Sequence, residues 1–403
     1  MFIARQPIFN RKLEVYGYEL LFRSQGESAQ FDGTSSIGAT ASVLGGLFES
    51  GIKCLVENKF AFINFDEHFI NSDSVELVPP ESLIIEMLEN VKINNNLINR
   101  LSELKSKGYK IALDDFVQDY ADYPLVPIAD IIKFDLIETP LHEIGASIGA
   151  ALAQKKIILA EKIESQDEFL LAKDMGFHLF QGFFFSRPQI ALKSNYKWTP
   201  KVQYMKLLEE LREEEPSFQI LAEIIETDVN LAYRMIRLAS RHTAEEAFYS
   251  IKKALIYMGL TEFERWINIL MLQDLGRNKP LELTKISLIR SKMADAIANH
   301  GGMKRLRQEA SLMGLFSTLD AMLDMTMEEA LQDIALTEPV IDALVHKKGR
   351  LYPIYDLILS YEAVDYIKVQ KIARELNLEI STLYQEYIEA IEWASEIFTV
   401  MDG

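Results

Sequence analysis

"IALDDF", residues 111–116, is a short apolar run that ends in two adjacent carboxylates, Asp114 and Asp115. Two neighbouring carboxylates at the end of a buried strand are electrostatically unfavourable unless a cation, a base or hydrogen-bond donors face them. The run before them has the apolar character of a strand that is covered on both faces. The stretch therefore predicts a buried strand of an α/β fold, with a charged site at its end.

Residues 1–190 repeat this pattern of short apolar runs separated by stretches with helical spacing. Seven runs are strand candidates: EVYGYELLF, KFAFINF, SLIIEML, YKIALDD, DIIKFD, KIILAE and FHLFQGFFF. Strands that alternate with helices and look buried on both faces predict a parallel sheet or a barrel. The length of this part lies near the lower end for a (β/α)₈ barrel.

The character of the chain changes at residues 186–201, SRPQIALKSNYKWTPK, which hold two prolines and several polar residues. Beyond them the runs are long and follow the 3.6-residue period of amphipathic helices, as in FQILAEIIETDVNLAYRMIRLAS. We therefore predict a barrel or sheet domain over 1–190, a linker over 191–201 and a separate all-α domain over 202–403.

The composition is that of a globular protein, with 49% hydrophobic and 25% charged residues. A net charge of −18 argues against a nucleic acid polymer as partner. The single cysteine, Cys54, excludes an internal disulfide and fits a reducing compartment. The N-terminus has no apolar signal segment, and no apolar run is long enough for a membrane span. We expect a cytoplasmic protein.

Polar side chains follow the apolar approach of nearly every strand candidate. They are Glu19, Asn64, Glu86, Asp114, Asp115, Lys133, Asp135, Glu161 and Gln181. In a (β/α)₈ barrel the carboxyl ends of the strands converge on one mouth, where the chemistry of that fold resides. The sequence therefore predicts a polar site at the mouth of a barrel.

The residue types indicate which chemistry this site would support. Oxygen donors without sulfur or an obvious histidine suit Mg²⁺ or Mn²⁺. Five of them could hold two ions a few Å apart, which would activate a water for in-line displacement at a phosphodiester: Glu19, Asn64, Glu86, Asp114 and Asp115. Lys133 can orient the water or neutralise charge, and Glu161 can take its proton. Arg23 is placed to pair with a phosphate.

The residues 6–23, QPIFNRKLEVYGYELLFR, resemble the opening of an EAL domain, the cyclic-di-GMP phosphodiesterase barrel of bacteria. Glu-Ala-Leu appears as Glu19-Leu20-Leu21. The likeness continues in order through INF, EMLE, ALDDF, IIKFD, LAEKIE and QGFFFSRP, and covers essentially residues 1–190. It implies a modified TIM barrel that linearises cyclic-di-GMP to pGpG.

The resemblance also implies roles for individual residues. It implies metal ligation by Glu19, Asn64, Glu86, Asp114 and Asp115. Lys133 and Glu161 would activate the water with support from Gln181, while Arg23 and Asp135 would contact the substrate. Glu89 corresponds to the glutamate that anchors the loop after Asp-Asp-Phe, and EAL barrels commonly form homodimers through that region.

Three positions depart from the EAL pattern. The glycine-bearing loop after Asp-Asp-Phe is replaced by Val117–Asp122, VQDYAD, and a β-branched valine resists the turn that glycine permits. Leu88 replaces the threonine partner of the anchoring glutamate. Lys162 replaces the glycine that follows Glu161 in the family, and we expect it to crowd the mouth.

The second half resembles an HDOD domain, a helical fold related to HD hydrolases that has lost its metal ligands and works in signalling. The likeness rests on segments such as SIKKALIYMGLTEFERWINIL and ASLMGLFSTLDAML, and covers roughly residues 200–400. No His-Asp dipeptide occurs in the chain, so the usual HD metal site cannot form. The resemblance implies a signalling protein as partner of this half.

Two functions remain open from the sequence. The first is a metal-dependent phosphodiesterase regulated by its HDOD domain. The second is a catalytically inactive cyclic-di-GMP receptor or an interaction scaffold. Retention of Lys133 and Glu161 favours the enzyme, because a passive binder needs no base; the altered loop favours the receptor.

Overall fold

The structure is a computed structural model, and it describes residues 2–23, 52–88, 91–117, 120–182, 185, 202–241, 250–275, 279–332 and 336–402. The predicted linker 191–201 and the loop anchor Glu89 lie outside these residues. Of the loop Val117–Asp122, residues 118 and 119 also lie outside them.

The first half closes into a barrel of eight strands in sequence order. The strands are β1 Phe2–Asn10, β2 Val15–Arg23, β3 Phe60–Phe65, β4 Leu83–Met87, β5 Lys110–Leu113, β6 Ile131–Asp135, β7 Ile157–Glu161 and β8 Leu179–Phe180. The modified TIM barrel is thereby confirmed. The modification is β1, which pairs antiparallel with both β2 and β8, whereas β2 to β8 are parallel.

The sequence reasoning missed β1. Its segment, FIARQPIFN, contains a proline and polar residues, so it lacks the continuous apolar run of the other strands. It is a strand because it pairs with β2 along its whole length and closes the barrel against β8. Pairing with neighbouring strands on both sides overrides a weak local propensity.

Helices cover the outside of the barrel between the parallel strands. They are α1 Ile52–Leu55, α2 Glu67–Ile70, α3 Asn95–Ser106, α4 Gly145–Ala153 and α5 Gln166–Asp174, with a 3₁₀ helix at Asp73–Leu77. Asn94 caps α3, and Ser165 forms a capping box with Glu168 at the start of α5. These caps satisfy backbone N–H groups that a helix leaves free at its first turn.

The second half is helical throughout its described residues, as predicted. Its helices are α6 Val202–Glu210, α7 Phe218–Glu226, α8 Val229–Arg241, α9 Ile251–Met258, α10 Leu260–Leu275, α11 Leu281–His300, α12 Arg307–Phe316, α13 Leu319–Leu323, α14 Met327–Leu331, α15 Glu338–Leu344, α16 Tyr352–Glu362, α17 Tyr366–Glu375 and α18 Ile380–Asp402, with a 3₁₀ turn at Lys304–Leu306. The 20-residue α11 is buried along most of its length and forms the centre of this half. Among the described residues, none of the helices has the length and apolarity that crossing a bilayer requires.

The outer face of β1 and β2 packs against the helical half. The Tyr361 hydroxyl of α16 donates to the Ile3 carbonyl at 3.0 Å, and the Tyr18 hydroxyl of β2 donates to Glu282 of α11 at 3.0 Å. Arg5 of β1 lies against both Glu57 and Glu282. A continuous apolar core runs through both halves. The helical half therefore covers the part of the barrel wall that contains the antiparallel strand.

Candidate active site

The barrel interior has a polar layer directly above an apolar layer. The apolar layer consists of Ile8, Phe62, Ile84, Ala112, Ile131, Leu159 and Leu179. Each apolar residue of this layer that comes from a parallel strand is followed, two positions later in the chain and on the same face, by a polar residue. These polar residues are Asn64, Glu86, Asp114, Lys133, Glu161 and Gln181. A strand period of two residues thus places six of the predicted site residues in one layer at the mouth.

Glu19 enters this layer from the middle of β2, because its neighbour Tyr18 points outward to α11. The Gln181 side chain donates to Glu19 Oε2 at 2.8 Å, and Asn64 Nδ2 lies 3.3 Å from Glu19 Oε1. Gln181 also donates to Gln6 Oε1 at 3.0 Å. Gln6 reaches the mouth because β1 runs in the opposite direction, and the sequence reasoning missed it for the same reason.

Lys133 stands at the centre of the layer, and its side chain is only 1% exposed. Its ammonium lies 2.6 Å from Asp114 Oδ1, 2.8 Å from Glu86 Oε1 and 2.9 Å from Glu161 Oε1. Glu19 Oε2 follows at 3.9 Å. One positive charge therefore faces four carboxylates.

Burial and the charged neighbours together shift the pKa values of the side chains in this layer. Burial raises the pKa of Glu86 and of Glu161 well above the usual range, although Lys133 opposes the change. Burial works against the charge of Lys133, but Asp114 and Glu161 outweigh it and raise the lysine pKa. Burial, with Asp114 beside it, raises the pKa of Asp115 to about 6. All four pKa values move in the direction that a net negative cluster requires.

Several oxygens of the layer are buried without a hydrogen-bond donor among the described residues. They are Asn64 Oδ1, Glu86 Oε2, Glu161 Oε2 and Gln181 Oε1. In addition, one oxygen each of Asp114, Asp115 and Glu161 lie within 4.8 Å of one another. Buried oxygens rarely stay unpaired, and a hard divalent cation is the partner that such a set accepts. The donor set thus fits a divalent metal ion.

Two residues at the rim hold left-handed backbone conformations. Asp115, directly after β5, has φ +39°, and Lys162, directly after β7, has φ +55°. Lys162 forms an ion pair with Asp135, whose other carboxylate oxygen accepts from the backbone N–H of Ile137 at 2.8 Å. Non-glycine residues in this region of conformational space cost energy and cluster at functional sites. Asp135, predicted to bind substrate, is engaged in this contact with Lys162.

Gln181 is held in position by a close approach of the backbone. A side-chain carbon at Gly182 would lie 2.3 Å from both the backbone nitrogen and the carbonyl oxygen of Ile163. The Ile163 N–H donates to the Gln181 carbonyl at 3.1 Å. Only glycine permits this approach, which aligns the ends of β7 and β8 and points Gln181 at Glu19.

Two predicted residues cannot be placed in this geometry. Arg23 is the last residue of β2 and pairs with Phe2, but its side chain lies outside the described part of the structure. Glu89 lies outside it entirely. Phe116 does not enter the mouth; it packs against Tyr120, Tyr123 and Phe134.

The fold and the site define a modified TIM barrel with acidic and amide side chains around one buried lysine at its mouth, which is a candidate metal site. The EAL domain model matches residues 65–188, and the HDOD domain model matches residues 199–338. YuxH, an uncharacterized protein of Bacillus subtilis, is 35% identical across 98% of this chain and 98% of its own length. The cyclic di-GMP phosphodiesterase CdgJ of Vibrio cholerae is 31% identical across 98% of this chain and 93% of its own.

The chain belongs to the family of proteins that join an EAL domain to an HDOD domain. Among solved structures, an EAL domain protein from Listeria monocytogenes is 22% identical and matches 46% of this chain and 87% of its own, with a TM-score of 0.38. The relatives YuxH and CdgJ extend the likeness over Glu19 and Asn64, which precede the residues that the EAL model matches.

Proposed function

We propose that this chain is a metal-dependent phosphodiesterase that hydrolyses cyclic-di-GMP to linear pGpG. The single observation that carries the proposal is the buried Lys133 ammonium within 2.9 Å of three carboxylates at the mouth, beside oxygens that have no hydrogen-bond donor among the described residues. The full-length likeness to the phosphodiesterase CdgJ supports the choice of substrate.

The proposed metal ligands are Glu19, Asn64, Glu86, Asp114 and Asp115, and the ion is Mg²⁺ or Mn²⁺. Oxygen ligands of this kind suit both ions. The bound metal would lower the pKa of a water and stabilise negative charge on the phosphate. One oxygen each of Glu161, Asp114 and Asp115 lie within 4.8 Å of one another, so Glu161 stands next to the proposed metal centre.

The remaining side chains supply proton transfer and orientation. We assign the base to Glu161, because its carboxylate lies 2.9 Å from Lys133 and beside Asp114 and Asp115, where it can accept a proton from the attacking water. The water oxygen bonds to phosphorus while the bond from phosphorus to the ribose oxygen breaks. Lys133 orients the water and neutralises charge, and Gln181 holds Glu19. Arg23 and Asp135 are assigned to the substrate, and Glu89 to the loop.

The wider organisation is part of the same proposal. We assign residues 1–190 to the barrel, 191–201 to a linker and 202–403 to the HDOD domain, which would bind a signalling protein. A homodimer through the region of Val117–Asp122 follows from the resemblance to EAL barrels. A cytoplasmic location is in keeping with one cysteine in 403 residues.

A receptor without catalytic activity is the alternative, and the absence of glycine from residues 117–122 favours it. The two are separated by measuring both binding and hydrolysis of cyclic-di-GMP by the full chain, with Mg²⁺ and with Mn²⁺. Glu19→Gln should abolish turnover, whereas Glu164→Gln, an exposed carboxylate three residues after Glu161, should not change it. Binding without turnover under both metals selects the receptor, and neither binding nor turnover refutes both readings.

A further inference from the structure

Lys162 brings a second ammonium group to the acidic mouth. It follows Glu161 directly at the end of β7 and forms an ion pair with Asp135 of the neighbouring strand β6. The Asp135 side chain is fully buried, whereas that of Lys162 is 51% exposed. The lysine therefore reaches from the rim into the site.

The two lysines of the mouth serve different carboxylates. Lys133 is surrounded by Glu86, Asp114 and Glu161 within 2.9 Å. Lys162 pairs with Asp135 and interacts electrostatically with Asp115 and Glu161. The charge of Lys162 therefore lies on the rim side of the carboxylate cluster, next to Asp115.

The backbone conformation of Lys162 is energetically unfavourable for a residue with a side chain. Lys162 adopts φ +55°, where glycine is favoured over residues that carry a side chain. The pattern of EAL sequences has glycine here, so the lysine adds a charge at a position where local conformation would select against it. A charge in such a position is expected to change what the acidic rim can bind.

We propose that Lys162 is the resident second cation of this mouth, so that the site takes one divalent metal ion rather than the two that five oxygen ligands could hold. The inference rests on the proposed metal centre. An ammonium that already neutralises Asp135 and faces Asp115 removes the charge that a second ion would need and repels that ion. The first ion would keep the other proposed ligands, which are Glu19, Glu86 and Asp114 around Lys133 and Asn64 next to Glu19.

The test is the number of Mn²⁺ ions bound per chain, measured by isothermal titration calorimetry on the full-length protein without nucleotide. Wild type is expected to bind one ion. Lys162→Gln, which removes the charge but keeps a polar side chain, and Lys162→Gly are each expected to bind two. The second ion should bind at least about tenfold more tightly to these variants than to wild type.

Lys155→Gly is the matched control. Lys155 also has a left-handed backbone, with φ +58°, but it is exposed on the turn after α4. The Lys155→Gly variant should bind one Mn²⁺ ion, as wild type is expected to do. Circular dichroism of each variant checks that the fold is intact.

Each outcome has a distinct meaning. Two ions in wild type, or one ion in both Lys162 variants, would overturn the inference while leaving the metal centre in place. Two ions in Lys162→Gly but one in Lys162→Gln would assign the effect to backbone freedom and also overturn it. No bound Mn²⁺ in any folded variant would instead overturn the metal centre of the proposed function.

Discussion

Arg5→Met should weaken the contact between the barrel and the helical half by an amount that depends on pH. Arg5 lies on β1 with a side chain that is 3% exposed. Its guanidinium donates to the Leu55 carbonyl at 2.6 Å and pairs with Glu57 at 3.0 Å and with Glu282 at 3.7 Å. Methionine keeps an unbranched apolar side chain at this position and removes the charge and its donors.

The magnitude follows from what remains after the substitution. Glu57 keeps its ion pair with Lys285, but Glu282, whose side chain is 3% exposed, loses its pair with Arg5 and keeps only the weaker interaction with Lys285. Burial already raises the pKa of Glu282. The carboxylate can avoid carrying an uncompensated charge by taking a proton, which for an ordinary glutamate costs about 3.7 kcal/mol at pH 7. We therefore expect a loss of about 3–4 kcal/mol at pH 7, within the range measured for broken buried pairs.

The same reasoning predicts the pH dependence. Protonating Glu282 costs only about 1.6 kcal/mol at pH 5.5, so the penalty of Arg5→Met should shrink to roughly half as the pH falls. The double variant Arg5→Met/Glu282→Gln removes both charges of the Arg5–Glu282 pair and leaves the Glu57–Lys285 pair in place. It should regain about 2 kcal/mol relative to Arg5→Met alone at pH 7.

The assay is urea unfolding followed by far-ultraviolet circular dichroism at pH 7 and pH 5.5. Arg307→Met is the control, because Arg307 pairs with Asp295 but is 44% exposed, and such a pair contributes less than about 1 kcal/mol. The reasoning fails if Arg5→Met lowers the free energy of unfolding no more than Arg307→Met does. It also fails if the loss in the double variant equals the sum of the losses measured for Arg5→Met and for Glu282→Gln alone.

Three further predictions concern the barrel. Lys133→Met should lower kcat for cyclic-di-GMP hydrolysis by at least about 100-fold while the nucleotide still binds, and full activity would refute the role of Lys133. Gly182→Ala should lower the free energy of unfolding by about 2 kcal/mol, because the added carbon meets the backbone of Ile163; an unchanged urea midpoint would contradict this. Burial, with Arg11 nearby, lowers the pKa of His178, so the unfolded chain binds its proton more readily and stability should fall as the pH drops below about 6.5. His178→Gln should flatten the pH profile of the urea midpoint between pH 7 and pH 5, and an identical profile would argue against this assignment.

Much of the barrel could be predicted, because most of its strands can be recognised from the local sequence alone. Runs such as Leu83–Met87 and Ile131–Asp135 are buried at every residue, so they are mostly apolar and carry their polar residues, Glu86 in the first and Lys133 and Asp135 in the second, in their last three positions. The period of two then places those polar groups on one face, which is why most of the site could be listed from the sequence. β1 was missed because its strand character comes from pairing with β2 and β8.

The sequence by itself determined the positions of the parallel strands along the chain, the helical nature of the second half and the acidic, oxygen-rich chemistry of the mouth. These follow from local periodicity and residue type. Only the tertiary structure decided that Lys133 lies among the carboxylates, that Gln6 joins Gln181, that Lys162 pairs with Asp135 and that Arg5 meets Glu282 of the helical half. Each of these contacts joins strands or halves that are distant in the chain, or depends on the direction of a strand or a turn. Barrel closure and the docking of the helical half, rather than any local pattern, bring such partners together.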